Sequence, residues 1–181
     1  IIPMAALPFG SRNIYLFSPE DAAAIRRELN IPVHDDTTIY RDFFDFLEER
    51  DYTLLYKMPF MISLIDNLNS IGEAEADKVL DDYIAFYMDR LDRGLAADRA
   101  SCPYTYEYLS DRKAVKKNML ANPFEKFERK RFMYYSKDLG KIALNTALFN
   151  SLKSEDFKRI RNQMEEDLKE YYSGIENKGT D

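Results

Sequence analysis

SDRKAVKKNMLANPFEKFERKRFMYYSKDLGKIALN, spanning Ser110–Asn145, decides the reading of this chain. Ser110 and Asp111 supply oxygens able to cap a helix start, and Val115 and Met119 then fall on one side at helical spacing. Asn122-Pro123 predicts the end of that helix near Ala121, because proline lacks an N–H and restricts the residue before it. Arg131 to Ser136 and Lys141 to Leu144 alternate as strands do. Between them, Lys137-Asp138-Leu139-Gly140 predicts a hairpin turn in which Gly140 supplies the positive φ. A helix followed by a hairpin is expected.

Working outward, most of the remaining chain reads as helix. Asn13 to Phe17 is a short β-type run, followed by Ser18-Pro19-Glu20-Asp21, which opens a helix to about Leu29. Ile31 to Asp36 reads as linker, and Asp36 or Thr37 can cap a second helix bearing Tyr40, Phe43, Phe44 and Leu47. Pro59 opens a third, with Phe60, Ile62, Leu64, Ile65 and Leu68 inward, ending near Gly72. A fourth, Ala74 to Arg93, carries a Leu80, Tyr83, Ile84, Tyr87, Leu91 stripe, with Gly94 placed to cap it. Ala96 to Tyr108 reads as loop. Ser154 starts a last helix with Phe157, Ile160, Met164, Leu168 and Tyr171 on one face.

The predicted fold class is mainly α, a helical bundle with one β-hairpin. Two architectures share that description. In a winged-helix arrangement, helices 59–70, 74–93 and 110–121 form the trihelical core and 131–144 the wing; in the other, the bundle is irregular. The expected organisation is an N-terminal strand, helix and linker over 1–36, a helical domain over 37–174 and a frayed tail over 175–181.

Composition bounds the function classes. Of the 181 residues 45% are apolar and 32% charged, enough for a packed core with a solvated exterior. Cys102 is the single cysteine, so no intrachain disulfide can form, which suits a reducing, cytoplasmic setting. No apolar run nears the roughly 20 residues that span a bilayer, so no membrane partner is expected. The chain opens Ile1-Ile2-Pro3 without methionine, and a domain excised from a longer protein is expected.

Candidate catalytic residues do not converge. His34, the only histidine, lies in the linker beside Asp35 and Asp36, and Cys102 precedes a proline with no histidine nearby. One histidine and one cysteine cannot complete a closed zinc site. No glycine-rich phosphate loop or nucleophile elbow occurs. Asp81, Asp82, Asp89 and Asp92 read as a solvated face, since Asp82 and Asp89 lie about 10 Å apart along a helix axis. Glu125, Lys126, Glu128 and Lys130 resemble half of a nuclease site without its upstream acid. No catalytic residue, metal or cofactor is expected.

Charge is where the chain departs from uniformity. Its net charge is −6, yet residues 110–145 hold 10 Lys/Arg against 4 Asp/Glu, while residues 1–109 hold 10 against 20. At 100° per residue, Arg112, Lys116, Lys113 and Lys117 fall at about 0°, 40°, 100° and 140°, with Val115 and Met119 at about 300° and 340°. Lys126, Arg129, Lys130 and Arg131 follow, and Lys137 and Lys141 belong to the hairpin, interleaved with Phe124, Phe127, Phe132, Tyr134 and Tyr135. These ten cations are the candidate nucleic-acid-binding residues, since Lys and Arg neutralise phosphate and release counterions. The alternative partner is the acidic remainder of the chain itself.

Lys57-Met-Pro-Phe-Met-Ile-Ser-Leu-Ile65, Gly72, Phe86-Tyr87-Met88-Asp89-Arg90, Gly94-Leu95, Asn122-Pro-Phe-Glu-Lys-Phe127 and the hairpin occur in this order. That order resembles the accessory C-terminal regions of bacterial superfamily-2 (DEAD/DEAH-type) helicases and restriction-associated proteins, over about residues 55–172. The resemblance implies a non-catalytic module that helps a larger enzyme hold DNA or RNA. A protein-interaction or scaffolding domain without nucleic-acid contact is the alternative, and a hydrolase with an unrecognised acidic site a remote one.

Overall fold

A computed structural model of the chain describes residues 3–9, 12–29, 34–50 and 54–176. The fold divides into two compact units, Ile1–Thr38 and Ile39–Asp181. No described helix is long and apolar enough to cross a membrane.

The first unit is a hairpin and a helix. Strand β1, Ala5–Phe9, pairs antiparallel with β2, Arg12–Leu16, with Ala5 opposite Leu16. Helix α1, Pro19–Glu28, starts as expected: the Ser18 hydroxyl accepts from the Asp21 N–H at 3.0 Å, Pro19 occupies the first turn, and Glu20 and Asp21 face the helix dipole. None of its described side chains is buried. The lone strand expected at Asn13–Phe17 is thus one arm of a hairpin, and the described residues hold two small sheets.

The second unit contains the core. Its elements are α2 (Ile39–Glu48), α3 (Lys57–Asn67), β3 (Glu73–Glu75), α4 (Ala76–Asp92), α5 (Tyr106–Ser110), α6 (Arg112–Met119), α7 (Glu125–Arg129), β4 (Met133–Ser136), β5 (Lys141–Leu144), α8 (Thr146–Ser151) and α9 (Ser154–Glu176). Helix α3 is apolar nearly all round, so it is central: Met58, Phe60, Met61 and Leu64 are buried, and α4 and α9 pack against it. The α9 stripe Ile160, Met164, Leu168 and Tyr172 closes one side, turning inward rather than toward a partner. Phe43, Phe46 and Phe127 meet Phe132 or one another edge-on at 5.1–5.2 Å, joining α2 to the chain before the hairpin. The buried Lys57 lies 4.0 Å over the Phe46 ring and donates to the Phe46 carbonyl at 3.3 Å.

The buried side of α4 and the chain that follows it hold polar groups inside the core. Tyr83 and Tyr104 share a hydrogen bond at 3.1 Å, and Tyr104 donates to Asn118 Oδ1 at 2.9 Å, so Tyr83 is the donor to Tyr104. The buried Asp98 accepts from the Leu55 N–H at 2.9 Å and from the Tyr171 hydroxyl at 2.7 Å. Tyr172 donates to the Ala97 carbonyl at 2.7 Å. Gly94, at φ +72°, ends α4 as expected: its N–H donates to Leu91 and that of Leu95 to Arg90.

Several expected boundaries move, each for a local reason. Helix α3 begins at Lys57, two residues before Pro59. Helix α2 begins at Ile39, after a turn in which the Asp35 carboxylate accepts from the Thr37 N–H at 2.8 Å. Part of the expected 96–108 loop is helix α5, capped by Thr105. Pro123 does not end the helix of the basic segment. The turn Leu120–Phe124 widens to π geometry, which carries the chain past the missing N–H and joins α6 to α7. The expected strand from Arg131 begins at Met133, because Arg131, at φ +63°, takes the left-handed position that closes α7. Its N–H donates to Glu128 and that of Phe132 to Phe127.

The expected hairpin forms with Gly140 at φ +63°, and β3 adds a third strand in the order β3-β5-β4, all antiparallel. Ala74, Ile142, Met133 and Leu144 face the core, while Glu73, Lys141, Tyr134 and Ser136 face outward. Helix α9 runs on through Glu176, beyond the expected start of the tail at 175; residues 177–181 of the expected tail and 31–33 of the expected linker lie outside the described residues.

Candidate nucleic-acid interface

Helix α6 carries the densest part of the basic segment. Asp111 caps it, its carboxylate accepting from the N–H groups of Lys113 and Ala114 at 3.1 Å. Val115 and Met119 are fully buried, which fixes the helix's rotation about its axis. The four cations then divide. Arg112 and Lys116 turn toward α4, whereas Lys113 and Lys117 are exposed on the side opposite Val115 and Met119.

The α4-facing pair is already engaged. Lys116 donates to Asp77 Oδ1 at 2.9 Å; Arg112 binds the Asp81 carboxylate and donates to the Asp77 carbonyl at 3.0 Å. Hydrogen bonding to the Lys116 ammonium, then its charge and that of Arg112, holds the Asp77 carboxyl below its ordinary range. The same hydrogen bond raises Lys116. Lys116 also lies beside Tyr135, and the Phe124 ring stands 6.2 Å from that of Tyr135, so the hairpin is a neighbour of this helix.

The remaining candidates divide similarly. Lys141 on β5 donates to Glu73 Oε2 at 2.8 Å, which raises its pKa, and Arg129 lies 3.7 Å from Glu125 one turn back on α7. Lys130 after α7 and Lys137 at the hairpin turn are exposed, and Lys126 is half-buried; none of these three has an ion pair among the described residues. Arg131 is exposed at the junction of α7 and the hairpin. Leu139 stands 69% exposed at the turn.

The sequence pattern did not single out Asp77 and Glu73, whose carboxylates accept from Lys116 and Lys141. A signal for Asp77 was present: Asp77 and Asp81 are spaced i,i+4, as are Arg112 and Lys116.

The possible catalytic groups are occupied or dispersed. Cys102 is half-buried 3.5 Å from the Tyr56 hydroxyl, and burial pushes its thiol up, away from a reactive thiolate. Asp82 accepts from Asn67, Asp89 pairs with Arg93 and Asp92 accepts from Tyr106. His34 is exposed. Among the described residues, no three His, Cys, Asp or Glu side chains gather as metal ligands. Comparison of the chain with family models, curated proteins and solved structures finds no match.

Proposed function

We propose that the second unit is a winged-helix-like accessory domain of a larger bacterial nucleic-acid enzyme. It grips the phosphate backbone of DNA or RNA through α6, α7 and the β4–β5 hairpin. The observation that carries this reading is the exposed Lys113–Lys117 face, opposite the buried Val115–Met119 face of the same helix. A helix anchored so firmly on one side presents its opposite side as a fixed surface, and here that surface is basic.

The chain order supports the winged-helix reading. A strand after the first core helix pairs with the second strand of a hairpin that follows the third helix, giving the sheet order β3-β5-β4. In these terms α3, α4 and α6 are the trihelical core and β4–β5 is the wing. The 17-residue α4 and the continuation of α6 into α7 are departures from a minimal version of that fold. Lys130, Arg131 and Lys137 extend the basic surface from the helix to the hairpin, where phosphates on either side of a groove can be met. Such contacts give affinity without sequence information.

Fluorescence anisotropy with labelled duplex and single-stranded DNA across a salt series tests the grip. For duplex, log K falls against log salt with a slope of about −0.9 per phosphate neutralised. Reversing Lys113, Lys117, Lys130 and Lys137 to Glu abolishes binding at moderate salt. Equal binding by the reversed variant would place the contact surface elsewhere. No binding by the unaltered chain at low salt would reject the grip and leave the protein-interaction reading.

A further inference from the structure

Two like-charged pairs face each other between α4 and α6. Asp77 and Asp81 stand one turn apart on α4, and Arg112 and Lys116 one turn apart on α6. Within either helix, equal charges at i,i+4 repel. Brought face to face they form a ladder whose rungs are Lys116–Asp77 and Arg112–Asp81, with Arg112 also reaching the Asp77 carbonyl. The ladder is a surface feature: the Asp77 and Asp81 side chains are 68% and 58% exposed. Such pairs are weak and screened by salt. Nor does α6 need them to stay in place, since Val115 and Met119 are fully buried beneath it.

Taking the phosphate grip as its premise, we propose that Asp77 and Asp81 act as a built-in competitor for phosphate. They withhold Arg112 and Lys116 from the nucleic acid, so the domain binds with the Lys113–Lys117 side of α6 and at reduced affinity. Their place in the fold suits that role, because the withheld and the open cations are neighbours on one helix. Only the sides that face α4 are neutralised. Without the carboxylates, Arg112 and Lys116 join Lys113 and Lys117 in one basic arc, and a backbone laid along α6 meets four cations instead of two.

The test uses the full chain, labelled duplex DNA and a salt series, after circular dichroism has shown the variants folded. The double variant Asp77→Asn/Asp81→Asn is compared with Asp89→Asn/Asp92→Asn. The second pair changes the net charge equally but lies about 18 Å further along α4, past the screening length of about 10 Å at 0.1 M salt. The competitor reading expects Asp77→Asn/Asp81→Asn to bind about three- to tenfold tighter at 0.1 M salt. It also expects a salt slope steeper by up to about 0.9 for each released cation that meets a phosphate. The control pair keeps the original slope.

Unaltered slope and affinity in Asp77→Asn/Asp81→Asn, with the unaltered chain binding, would overturn the competitor and leave the grip standing. Weaker binding by that variant would overturn it too, showing that the acids position the cations instead. Binding by the variant alone would mark the ladder as a complete block and support the proposal. Binding by neither protein at low salt would reject the grip and the competitor together.

Discussion

The exposed and the buried sides of α4 handle polar groups in opposite ways. At its N-terminal end, Asp77 and Asp81 meet Arg112 and Lys116 in open water. Along its middle, on the opposite side, Tyr83 and Tyr87 are fully buried among Tyr56, Tyr104 and Tyr172, and polarity is managed by hydroxyls and the buried Asp98. The buried part relies on hydroxyls and on Asp98, most of them tied to a named partner inside the fold, so it specifies the fold. The exposed part uses full charges that solvent can separate at small cost, so it can change partners. The first should therefore answer to alkaline pH and to single hydrogen-bond deletions, the second to salt and to charge.

The sharpest break between the two comes above pH 10. Burial, the leading cause, raises the pKa of Tyr83, Tyr87 and Tyr104 above the usual phenol value. The unfolded chain then loses these protons first, so the stability they lend is whole below pH ~10 and falls as pH rises beyond it. Each contributes a loss of about 1.4 kcal/mol per pH unit, or roughly 4 kcal/mol per unit for the three. The domain should therefore lose stability progressively as pH climbs past the usual phenol value, and unfold cooperatively there. Phenolate absorbance and far-ultraviolet circular dichroism followed together would show the tyrosines ionising with the loss of helix. Smooth ionisation of every tyrosine with the helices intact would mean that this side is wet.

Smaller effects separate satisfied from unsatisfied groups within the tyrosine side. Asp98→Ala leaves the Leu55 N–H and the Tyr171 hydroxyl without their acceptor, at a cost of about 3 kcal/mol by denaturant melt. Where the variant is folded, its affinity for DNA should equal that of the parent. The Tyr87 hydroxyl, by contrast, is buried with no hydrogen-bond partner among the described residues. Tyr87→Phe should accordingly be neutral or gain up to about 1 kcal/mol. A loss of 2 kcal/mol or more in that variant would reveal a bond to the Tyr87 hydroxyl.

The same contrast explains what was legible in the sequence. Val115 and Met119 announced the buried side of α6 because burial leaves a 3.6-residue period. Ser18 and Gly94 announced helix ends because caps need particular residues. Strand β3, Glu73-Ala-Glu75, carries no such mark: two of its three residues are acids, and its extended form comes from pairing with β5, nearly 70 residues away. Pro123 misled because the rule for proline presumes an α-helix, and the chain widens to a π turn instead. For the basic surface, composition located all ten cations but said nothing of their partners. Which are held by Asp77, Asp81 or Glu73 depends on how α4, α6 and the sheet pack, and no local pattern states that.

The smallest expected effect lies at the Asp77 rung and tests whether the exposed side is as weak as it looks. The Asp77 pKa is lowered, so its pairing stabilises the fold above the usual carboxylate range and is lost as pH falls through and below about 4. With Asp77 68% exposed, water screens the pair, and Asp77→Asn should cost only a few tenths of a kcal/mol at pH 7. That deficit should shrink as pH falls below the usual carboxylate range and the parent carboxyl takes up its proton, and it should shrink in 1 M salt, where the screening length is about 3 Å. Asp77 also lies in the first turn of α4, where negative charge is favoured by the helix dipole. A double-mutant cycle with Lys116→Gln separates the two contributions, since only the ion pair produces coupling. Coupling of about 0.2–1 kcal/mol, lost in salt, fits a rung that phosphate can displace. Coupling of 3 kcal/mol or more that persists in salt would make the exposed side of α4 structural like its buried side, and the contrast between them would collapse.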